Sequence, residues 1–319
     1  MKAIVHRRYG PPDVLTLEDL PSPEPGPGEV RVRVRAASVF AGDWHLVRGA
    51  PFFVRFATGL RRPRNPIPGI DLAGIVDAVG AGVGGLQVGD EVLGFAKGSL
   101  AELVCVPADN LVRRPANLSL EEAATVPEAG LTALQALRDQ GRVRAGQRVL
   151  IIGASGGVGT FAVQIAKALG AEVTGVCGPG GLELVRSIGA DRVLDRTRTD
   201  VTASGERYDV IVQLAGTTSP WRLRRALAPG GTLVLSSGEG RLAGLDRIVA
   251  ATLLNPFVRG RLAVFVTSEN GADLASLVDM IASGQVRPVI DRTYPLAETA
   301  AALRHLEAGH ARGKIVIAI

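Results

Sequence analysis

The chain reads Val-Leu-Ile-Ile-Gly-Ala-Ser-Gly-Gly-Val-Gly-Thr-Phe-Ala from Val149 to Ala162, and this stretch decides the fold. An apolar, β-branched strand leads through a glycine-rich turn directly into a helix. Within the turn, Ala154, Gly156 and Gly159 stand at the spacing of a G-x-G-x-x-G fingerprint with alanine in the first place. Glycines at this spacing let backbone N–H groups and the helix N-terminus approach a pyrophosphate closely. The stretch therefore predicts a loop that binds a dinucleotide.

The chain around this loop alternates between predicted strands and predicted helices. The strands are expected at 148–152, 172–177, 192–194, 209–214, 232–235 and 262–267. The helices between them are expected at 161–169, 182–188 and 221–227. Alternation of this kind indicates a parallel sheet with helices on both faces, the doubly wound arrangement that binds dinucleotides.

The first hundred or so residues have a different character. The segment 30–36 alternates apolar and polar residues with period two, and strand-like segments at 76–85 and 88–92 follow between turns rich in proline and glycine. This pattern predicts an irregular β domain. From Ser119, which can cap a helix, the chain turns helical, with another helix expected at 131–139. The tail is expected to form helices at 272–282 and 296–307 and a last strand at 314–319.

The composition fits a globular protein of about two domains. The chain has 319 residues, of which 46% are hydrophobic and 21% are charged. No apolar run reaches the roughly 18 to 20 residues that a membrane span needs. The N-terminus lacks the apolar region of a secretory signal. We therefore expect a soluble, cytoplasmic protein without a membrane partner.

Charge and cysteine content narrow the class further. There are 36 basic and 31 acidic residues, but the arginines are dispersed and aromatic residues make up only 4% of the chain. Neither a basic stripe nor a stacking platform is visible, so we expect no nucleic-acid partner. Two cysteines, Cys105 and Cys177, are too few for a disulfide framework. Cys177 ends an apolar strand and is expected to be a buried, inert thiol.

Five motifs spread over nearly the whole chain carry a family resemblance. They are Pro-Gly-Ile-Asp-Leu-Ala-Gly at 68–74, Val-Gly-Asp-Glu-Val at 88–92, Val-Pro-x-Ala-Gly-Leu-Thr-Ala at 126–133, the glycine loop at 153–159 and Gly-His-Ala-Arg-Gly-Lys at 309–314. Together they resemble the medium-chain dehydrogenase/reductase superfamily, in particular its zinc-free quinone oxidoreductase-like branch. The resemblance implies an α/β protein with a GroES-like irregular β catalytic domain and a Rossmann domain built on a doubly wound parallel sheet.

The resemblance also implies domain boundaries and an assembly. Residues 1–122 and 269–319 would form the catalytic domain, because the tail folds back onto it in that family. Residues 123–268 would form the Rossmann domain. The active site would lie in the cleft between the two domains, where a small-molecule substrate binds. A homodimer would form through edge strands near 262–267.

Zinc ligands are missing at the positions where the resemblance would place them. Phe40 aligns with the first Cys ligand of zinc-dependent relatives, and Ile70 aligns with the His of their Gly-His-Glu motif. Two cysteines cannot build a structural zinc site, and the four histidines are expected to be surface or packing residues, so we expect no metal. Without a Lewis acid, hydride addition suits an activated acceptor such as a quinone or an α,β-unsaturated ketone, because hydride at the β-carbon leaves a delocalised enolate.

The end of the second strand indicates which nicotinamide cofactor is used. Sites that prefer NAD place Asp or Glu there to hold the ribose 2′-hydroxyl, whereas this chain has Val-Cys-Gly-Pro-Gly-Gly at 176–181. The missing carboxylate removes repulsion against a 2′-phosphate, and Arg186 and Arg196 are nearby cations that could pair with it. We therefore expect NADPH. The alternative is that both arginines are merely solvated.

The residues expected to contact the cofactor come from the glycine loop, from the turn after the second strand and from positions that match the family pattern. They are Thr132, Ala154, Ser155, Gly156, Gly157, Val158, Gly159, Gly178, Arg186, Arg196, Ser236, Arg312 and Lys314. A Gly159→Asp change is expected to abolish cofactor binding, because its carboxylate would face the pyrophosphate.

Four further residues are candidates for the chemistry. Phe40 replaces an Asn that is common in relatives near the nicotinamide and makes the pocket more apolar. Glu128 stands at a commonly apolar position, where a partly buried carboxyl could donate a proton to the enolate or could simply cap a helix. Asp43 could orient the substrate or cap a turn. Tyr9 offers a hydroxyl near the mouth of the cleft.

Two functional hypotheses follow from the sequence. The first is a zinc-independent, NADPH-dependent oxidoreductase that transfers hydride to a quinone or an α,β-unsaturated carbonyl substrate, in a dedicated biosynthetic pathway. The second is a protein that retains the fold but is repurposed for non-redox, cyclase-type chemistry or for non-catalytic NADPH binding. Fold alone does not decide between the two hypotheses.

Overall fold

The computed structural model describes residues 1–236 and 260–319, which form two compact units. The first, which we call the β-rich unit, comprises Met1–Leu131, Glu269–Ser283 and Pro288–Ile319. The second, the parallel-sheet unit, comprises Thr132–Ser268 and Gly284–Arg287. The β-rich unit is therefore assembled from three separate pieces of chain.

In the described residues, strands predominate up to residue 113 and α-helices are more frequent after it. The strands are β1 (Lys2–Val5), β2 (Thr16–Asp19), β3 (Glu29–Val39), β4 (Asp71–Val79), β5 (Glu91–Phe95), β6 (Leu103–Pro107), β7 (Leu111–Arg113), β8 (Arg148–Ile152), β9 (Glu172–Cys177), β10 (Arg192–Asp195), β11 (Tyr208–Gln213), β12 (Leu227–Ser236), β13 (Arg261–Phe265), β14 (Ile290–Pro295) and β15 (Lys314–Ala318). The α-helices are α1 (Ala41–Arg48), α2 (Val54–Thr58), α3 (Leu120–Ala124), α4 (Pro127–Gln135), α5 (Gly157–Ala168), α6 (Leu182–Ser187), α7 (Pro220–Leu223), α8 (Gly271–Ala282) and α9 (Thr299–Glu307). None of the described helices is both long enough and apolar enough to cross a membrane.

The β-rich unit is built around the long strand β3. Val30, Val32 and Val34 on this strand are buried, and the arginines between them lie on the other face, as the period-two pattern predicts. The main sheet has the order β14-β15-β3-β4-β5-β7, and β6 also pairs with β3. β15 runs antiparallel to β3, with Ile317 opposite Ala37. The last strand of the chain is therefore an interior strand of this sheet.

The parallel-sheet unit holds one sheet in the order β10-β9-β8-β11-β12-β13, with all neighbours parallel. This confirms the doubly wound arrangement predicted from the alternating pattern. The chain builds outward from β8 in both directions, so the carboxyl end of β8 is the place where such sheets bind ligands. Among the described strands β13 is an edge strand. The predicted homodimer contact there stays a prediction that light scattering of the purified protein would test.

Some local elements differ from the sequence-based expectations. The helix expected at 221–227 is shorter, because α7 ends at Leu223 and Leu227 already pairs with Tyr208 in the sheet. Burial in the sheet outweighs the local helix preference at Leu227. The tail helix expected from residue 296 begins at Thr299, after a 3-10 turn. The sequence analysis does not predict α1, α2 or β14, whose short segments lack a long periodic apolar face.

Candidate functional site

The glycine loop connects β8 to α5 and is held against the neighbouring strand by backbone hydrogen bonds. The N–H groups of Gly153 and Ala154 both donate to the carbonyl oxygen of Val176 on β9, at 2.9 and 3.0 Å. Gly153 has a φ of 91°, a left-handed conformation that favours glycine. Gly156 is the N-cap residue of α5, and no side chain caps this helix.

Two glycines of this loop have different surroundings. A Cβ on Gly159 would overlap the carbonyl oxygen of Gly153 and the backbone of Ala154. A Cβ on Gly156 would lie 3.5 Å from the Gly153 oxygen, an ordinary van der Waals contact. Gly159 is therefore required for packing, whereas Gly156 lines the open side of the loop. A Gly159→Asp side chain would therefore meet the backbone of the loop before its carboxylate faced a pyrophosphate, so the expected loss of cofactor binding has a steric cause instead of an electrostatic one.

The first turn of α5 fits an anionic group. The N–H groups of Gly157, Val158 and Gly159 belong to that turn, where no earlier carbonyl of the helix is available to them. The helix is 12 residues long, and its dipole adds positive potential at the same end. The predicted loop residues 154–159 therefore lie together in an arrangement that fits a pyrophosphate.

Two exposed cations lie near the turn that follows β9. The N–H of Arg196 donates to the carbonyl oxygen of Cys177 at 2.9 Å, and its guanidinium Nε lies 3.4 Å from the position of a Cβ on Gly178. Arg186 on α6 is also exposed. Neither guanidinium forms an ion pair with a carboxylate of the described residues. Cys177 is buried, as expected, and burial raises the pKa of its thiol.

The sequence analysis misses an acidic residue beside this turn. Asp195 ends β10 and lies opposite Cys177 in the register of the two strands. Its carboxylate accepts hydrogen bonds from the N–H and the Oγ1 of Thr197, at 2.8 and 2.7 Å, and these bonds lower the pKa of Asp195. Asp195 was not expected because the NAD fingerprint concerns the end of β9, whereas in a parallel sheet the neighbouring strand ends at the same edge.

Three other residues were expected to contact the cofactor, and each has a different environment in the structure. The Oγ1 atom of Thr132 lies 2.6 Å from that of Thr267. Arg312 is exposed. Ser236 is the last residue of β12, and its side chain lies outside the described part of the structure. Cofactor contacts by these residues stay predictions.

A buried charge cluster lies within the β-rich unit. Asp71, the first residue of β4, accepts hydrogen bonds at Oδ2 from the Oγ of Ser38, at 2.6 Å, and from the Nζ of Lys314, at 3.1 Å. Its Oδ1 accepts the backbone N–H of Glu128 at 2.9 Å. Asp71 and Lys314 are both buried and form an ion pair. One carboxylate therefore joins β3, β15 and the start of α4.

This pairing was not expected from the sequence. The family pattern assigns Lys314 to the cofactor, whereas the structure gives its ammonium group an internal carboxylate partner. A cofactor contact by Lys314 stays a prediction. The sequence analysis gave Asp71 no role, although an Asp within the apolar motif at 68–74 needs a buried partner.

Asp43 is a second buried carboxyl close to this cluster. It lies in the first turn of α1, where its Oδ2 accepts the backbone N–H of Phe40 at 3.1 Å. Its Oδ1 is buried and has no hydrogen-bond partner among the described atoms. Burial, followed by the charge of Asp71, raises the pKa of Asp43 to about 8. Asp43 therefore caps α1 and holds a proton at neutral pH.

We expect an Asp43→Asn variant to gain stability over the wild type as the pH rises. The pKa of Asp43 is about 8 in the folded protein and 3.8 without the fold, so the folded protein binds this proton more tightly. This tighter proton binding stabilises the folded wild type at low pH. The stabilisation is lost between about pH 4 and about pH 8, and the free energy of unfolding falls by up to about 1.4 kcal/mol for each pH unit. Asparagine does not titrate and avoids the loss. Urea unfolding across this range would measure the difference.

The matched control for this prediction is Asp13→Asn, which changes an exposed carboxylate paired with Arg304. Its free energy of unfolding should follow that of the wild type at every pH in the window. If the Asp43→Asn curve also ran parallel to the wild-type curve, Asp43 would be ionised in the folded protein.

Two other candidate catalytic residues lie at the same cluster. Phe40 is the N-cap residue of α1, and the Nζ of Lys314 lies 5.4 Å from the centroid of its ring. A Cβ on Gly42 would overlap that ring, so the glycine leaves room for it. Glu128 is half-buried in the first turn of α4. Together with Asp43, these residues bring an apolar ring and two carboxyl groups close to one buried lysine.

Tyr9 is engaged elsewhere in the β-rich unit. Its hydroxyl donates to the carbonyl oxygen of Gly59 at 2.6 Å and lies 2.7 Å from the Oγ1 of Thr58. The guanidinium of Arg55 lies over its ring, 4.6 Å from the centroid. These contacts favour a role for Tyr9 in holding α2 over a role in proton donation.

Within residues 1–236 and 260–319, no group of three or more His, Cys, Asp or Glu side chains is arranged to hold a metal ion. The Nδ1 of His6 lies 2.9 Å from the carbonyl oxygen of Pro66, and burial lowers the pKa of this histidine. The Nε2 of His305 lies 2.7 Å from Asp291. Both imidazoles therefore take part in local packing contacts.

Comparison with known proteins connects both units to one family. The family model described as an alcohol dehydrogenase GroES-like domain matches residues 26–116, and the one described as a zinc-binding dehydrogenase matches residues 188–317. The NADPH-dependent alkenal/one oxidoreductase of Arabidopsis thaliana chloroplasts is 32% identical over 99% of this chain and 79% of that protein.

Solved structures agree with this relationship. The quinone oxidoreductase of Coxiella burnetii is 30% identical, with a TM-score of 0.89 over 100% of this chain and 99% of that one. The quinone oxidoreductase of Escherichia coli, solved in complex with NADPH, is 25% identical, with a TM-score of 0.83 over 100% of both chains. The GroES-like unit and the Rossmann-type sheet thus occur together over the full length of these structures. The chain belongs to the medium-chain dehydrogenase/reductase superfamily of oxidoreductases, in its quinone-oxidoreductase-like branch.

Proposed function

We propose that the protein is a zinc-independent, NADPH-dependent reductase of quinones or α,β-unsaturated carbonyl compounds. The observation that carries this proposal is the pair of open anion positions in the parallel-sheet unit. One is the glycine loop with Gly156 on its open side, and the other is the turn after β9, where Arg196 lies beside Gly178 and the charges of Arg186 and Arg196 both act on Cys177. NADPH has an anionic group for each position: its pyrophosphate would bind at the loop and its 2′-phosphate at the turn.

The names of the relatives support the same cofactor. The Arabidopsis relative is described as NADPH-dependent, and the Escherichia coli structure holds NADPH. In this chain the loop amides would hold the pyrophosphate, and Arg186 and Arg196 would pair with the 2′-phosphate. When bound, NADPH supplies the hydride that converts a quinone to a hydroquinone anion or an enone to an enolate, and each anion then takes up a proton.

We propose zinc independence because the side chains at the expected zinc-ligand positions cannot bind a metal. Phe40 and Ile70 stand where zinc-dependent relatives have Cys and His, and neither side chain has an atom that can bind a metal. The family model described as zinc-binding matches residues 188–317, which do not include these two positions. A quinone or an enone needs no metal to accept hydride, because its conjugated carbonyl group delocalises the negative charge that the hydride brings.

The side chains around the buried lysine have different proposed roles. Phe40 would give the substrate an apolar wall. Asp43 is buried, accepts the backbone N–H of Phe40 and would act as a positioning residue that fixes the first turn of α1. Glu128, which is only half-buried, would deliver the proton that an enolate needs at its α-carbon.

The proposal is tested by following NADPH and NADH oxidation against a panel of quinones and α,β-unsaturated ketones. We expect faster turnover with NADPH. Arg196→Ala should raise the KM for NADPH roughly tenfold, the loss of one charge-assisted contact, and leave the KM for NADH nearly unchanged. Arg225→Ala, an exposed arginine elsewhere on the unit, is the control. Equal effects of Arg196→Ala on both cofactors would contradict the assigned preference.

In the same assay, a Glu128→Gln variant should affect enones and quinones differently. Glu128→Gln should slow enone reduction about 100-fold, the usual contribution of a general acid. Quinone reduction should be nearly unaffected, because a hydroquinone oxygen takes its proton from water. Tight NADPH binding without oxidation by any acceptor would instead support a fold-retaining protein with a non-redox role.

A further inference from the structure

A short segment of the β-rich unit exposes an unusual number of large apolar side chains. We call it the Phe-Arg segment, residues 51–64. Phe52, Phe53, Phe56 and Leu60 are 61, 40, 64 and 54% exposed. Single exposed apolar residues are common, but a cluster of this kind marks an interaction surface.

Positive charge follows these apolar side chains in the sequence. Arg61, Arg62 and Arg64 are exposed, and none of them forms an ion pair with a carboxylate of the described residues. The sequence from 44 to 70 contains five arginines and no Asp or Glu. The surface is therefore complementary to one that is both apolar and negatively charged.

The segment is held in shape by internal contacts. Arg55 donates from its Nε to the carbonyl oxygen of Gly49 at 2.9 Å, and its guanidinium lies 4.6 Å from the ring centroid of Tyr9. The rings of Phe52 and Phe56 meet edge to face at 5.9 Å. These contacts restrict the segment before it docks, which lowers the conformational entropy that docking would cost.

We propose that the Phe-Arg segment docks the protein onto the surface of an anionic lipid bilayer. Phenylalanine and leucine side chains enter the boundary between headgroups and acyl chains, and arginines pair with the anionic headgroups above them. A protein partner would need a groove shaped to these four side chains, whereas a bilayer accepts them as they stand. This inference goes beyond the proposed reductase activity and does not depend on it.

The proposal departs from the sequence-based expectation of no membrane partner. That expectation rested on the absence of a spanning segment, and docking of this kind requires none. The sequence shows the arginines, but only the structure shows that the neighbouring phenylalanines are left uncovered.

Cosedimentation with vesicles tests the proposal directly. Full-length protein is mixed with vesicles of phosphatidylcholine alone and with vesicles that also contain phosphatidylglycerol. We expect binding to the anionic vesicles, weakened by salt, and little binding to the neutral ones. Arg61→Gln combined with Arg62→Gln should weaken binding roughly 30-fold. Phe52→Ser combined with Phe56→Ser should weaken it on the order of tenfold.

The matched control is Trp221→Ser, which removes an exposed aromatic ring stacked on Arg224 in the other unit. It should bind anionic vesicles like the wild type. Equal binding to neutral and anionic vesicles would overturn the proposal, and so would unchanged binding by either double variant. A change in oligomeric state in the phenylalanine variant, with vesicle binding unchanged, would also overturn it and would assign the surface to self-association.

Discussion

A Gly156→Asp variant is expected to fold normally and to bind NADPH on the order of 1,000-fold more weakly. Gly156 is the N-cap residue of α5 with a φ of −81° and a ψ of 175°, a position and conformation that Asp readily adopts. Its new carboxylate would lie on the open side of the loop, where the pyrophosphate is proposed to bind. Two charges about 4 Å apart repel by about 4 kcal/mol near a protein surface. Titration of the purified variant with NADPH would measure the loss.

Two companion variants separate charge from shape in this experiment. Gly156→Asn adds nearly the same volume without charge, so it should lose far less affinity than Gly156→Asp. Gly159→Ala should lower the melting temperature, because its Cβ would overlap the backbone of Gly153. Undiminished NADPH affinity in a folded Gly156→Asp protein would exclude the loop as the cofactor site.

A Lys314→Met variant is expected to lose about 3 to 5 kcal/mol of stability. The substitution keeps most of the apolar stem but leaves the buried carboxylate of Asp71 without its counter-ion. Ser38 and the backbone of Glu128 still donate hydrogen bonds to Asp71, but they do not replace the lost charge. Urea unfolding of the variant and the wild type would measure the difference.

The same substitution at a solvated ion pair provides the control. Lys167 pairs with Asp191 and is 35% exposed, so Lys167→Met should cost less than about 1 kcal/mol. Combining Lys314→Met with Asp71→Asn should recover part of the loss, because no uncompensated charge remains buried. A cost at Lys314 as small as that at Lys167 would show that the buried pair contributes no more than a surface pair.

Local signals explain what the sequence analysis predicts correctly. β8 and β9 have the predicted bounds, because their apolar, β-branched runs are buried on both faces and are delimited by glycines. The loop between β8 and α5 follows for the same reason, since its glycine spacing is a local requirement. The family motifs add the GroES-like unit, whose irregular strands alone predict only a β domain.

Contacts between distant parts of the chain explain what the sequence analysis misses. Asp71 and Lys314 are 243 residues apart, and no local pattern pairs them. The raised pKa of Asp43 depends on burial together with the nearby charge of Asp71, so it needs the assembled sheet. The exposure of Phe52 and Phe56 is also missed, because whether an aromatic side chain is covered depends on the rest of the fold and not on its local sequence.

Because β15 lies inside its sheet, the β-rich unit can complete that sheet only late in synthesis. Asp71 leaves the ribosome before Lys314, and 243 residues separate the two. At typical translation rates this separation takes about 10 to 50 s to synthesise. The second unit is complete in sequence at Arg287, before β15 is made. Throughout that interval β3 lacks one of its partners and Asp71 lacks its cation. The part of the protein that is translated first therefore cannot complete its sheet until β15 has been synthesised.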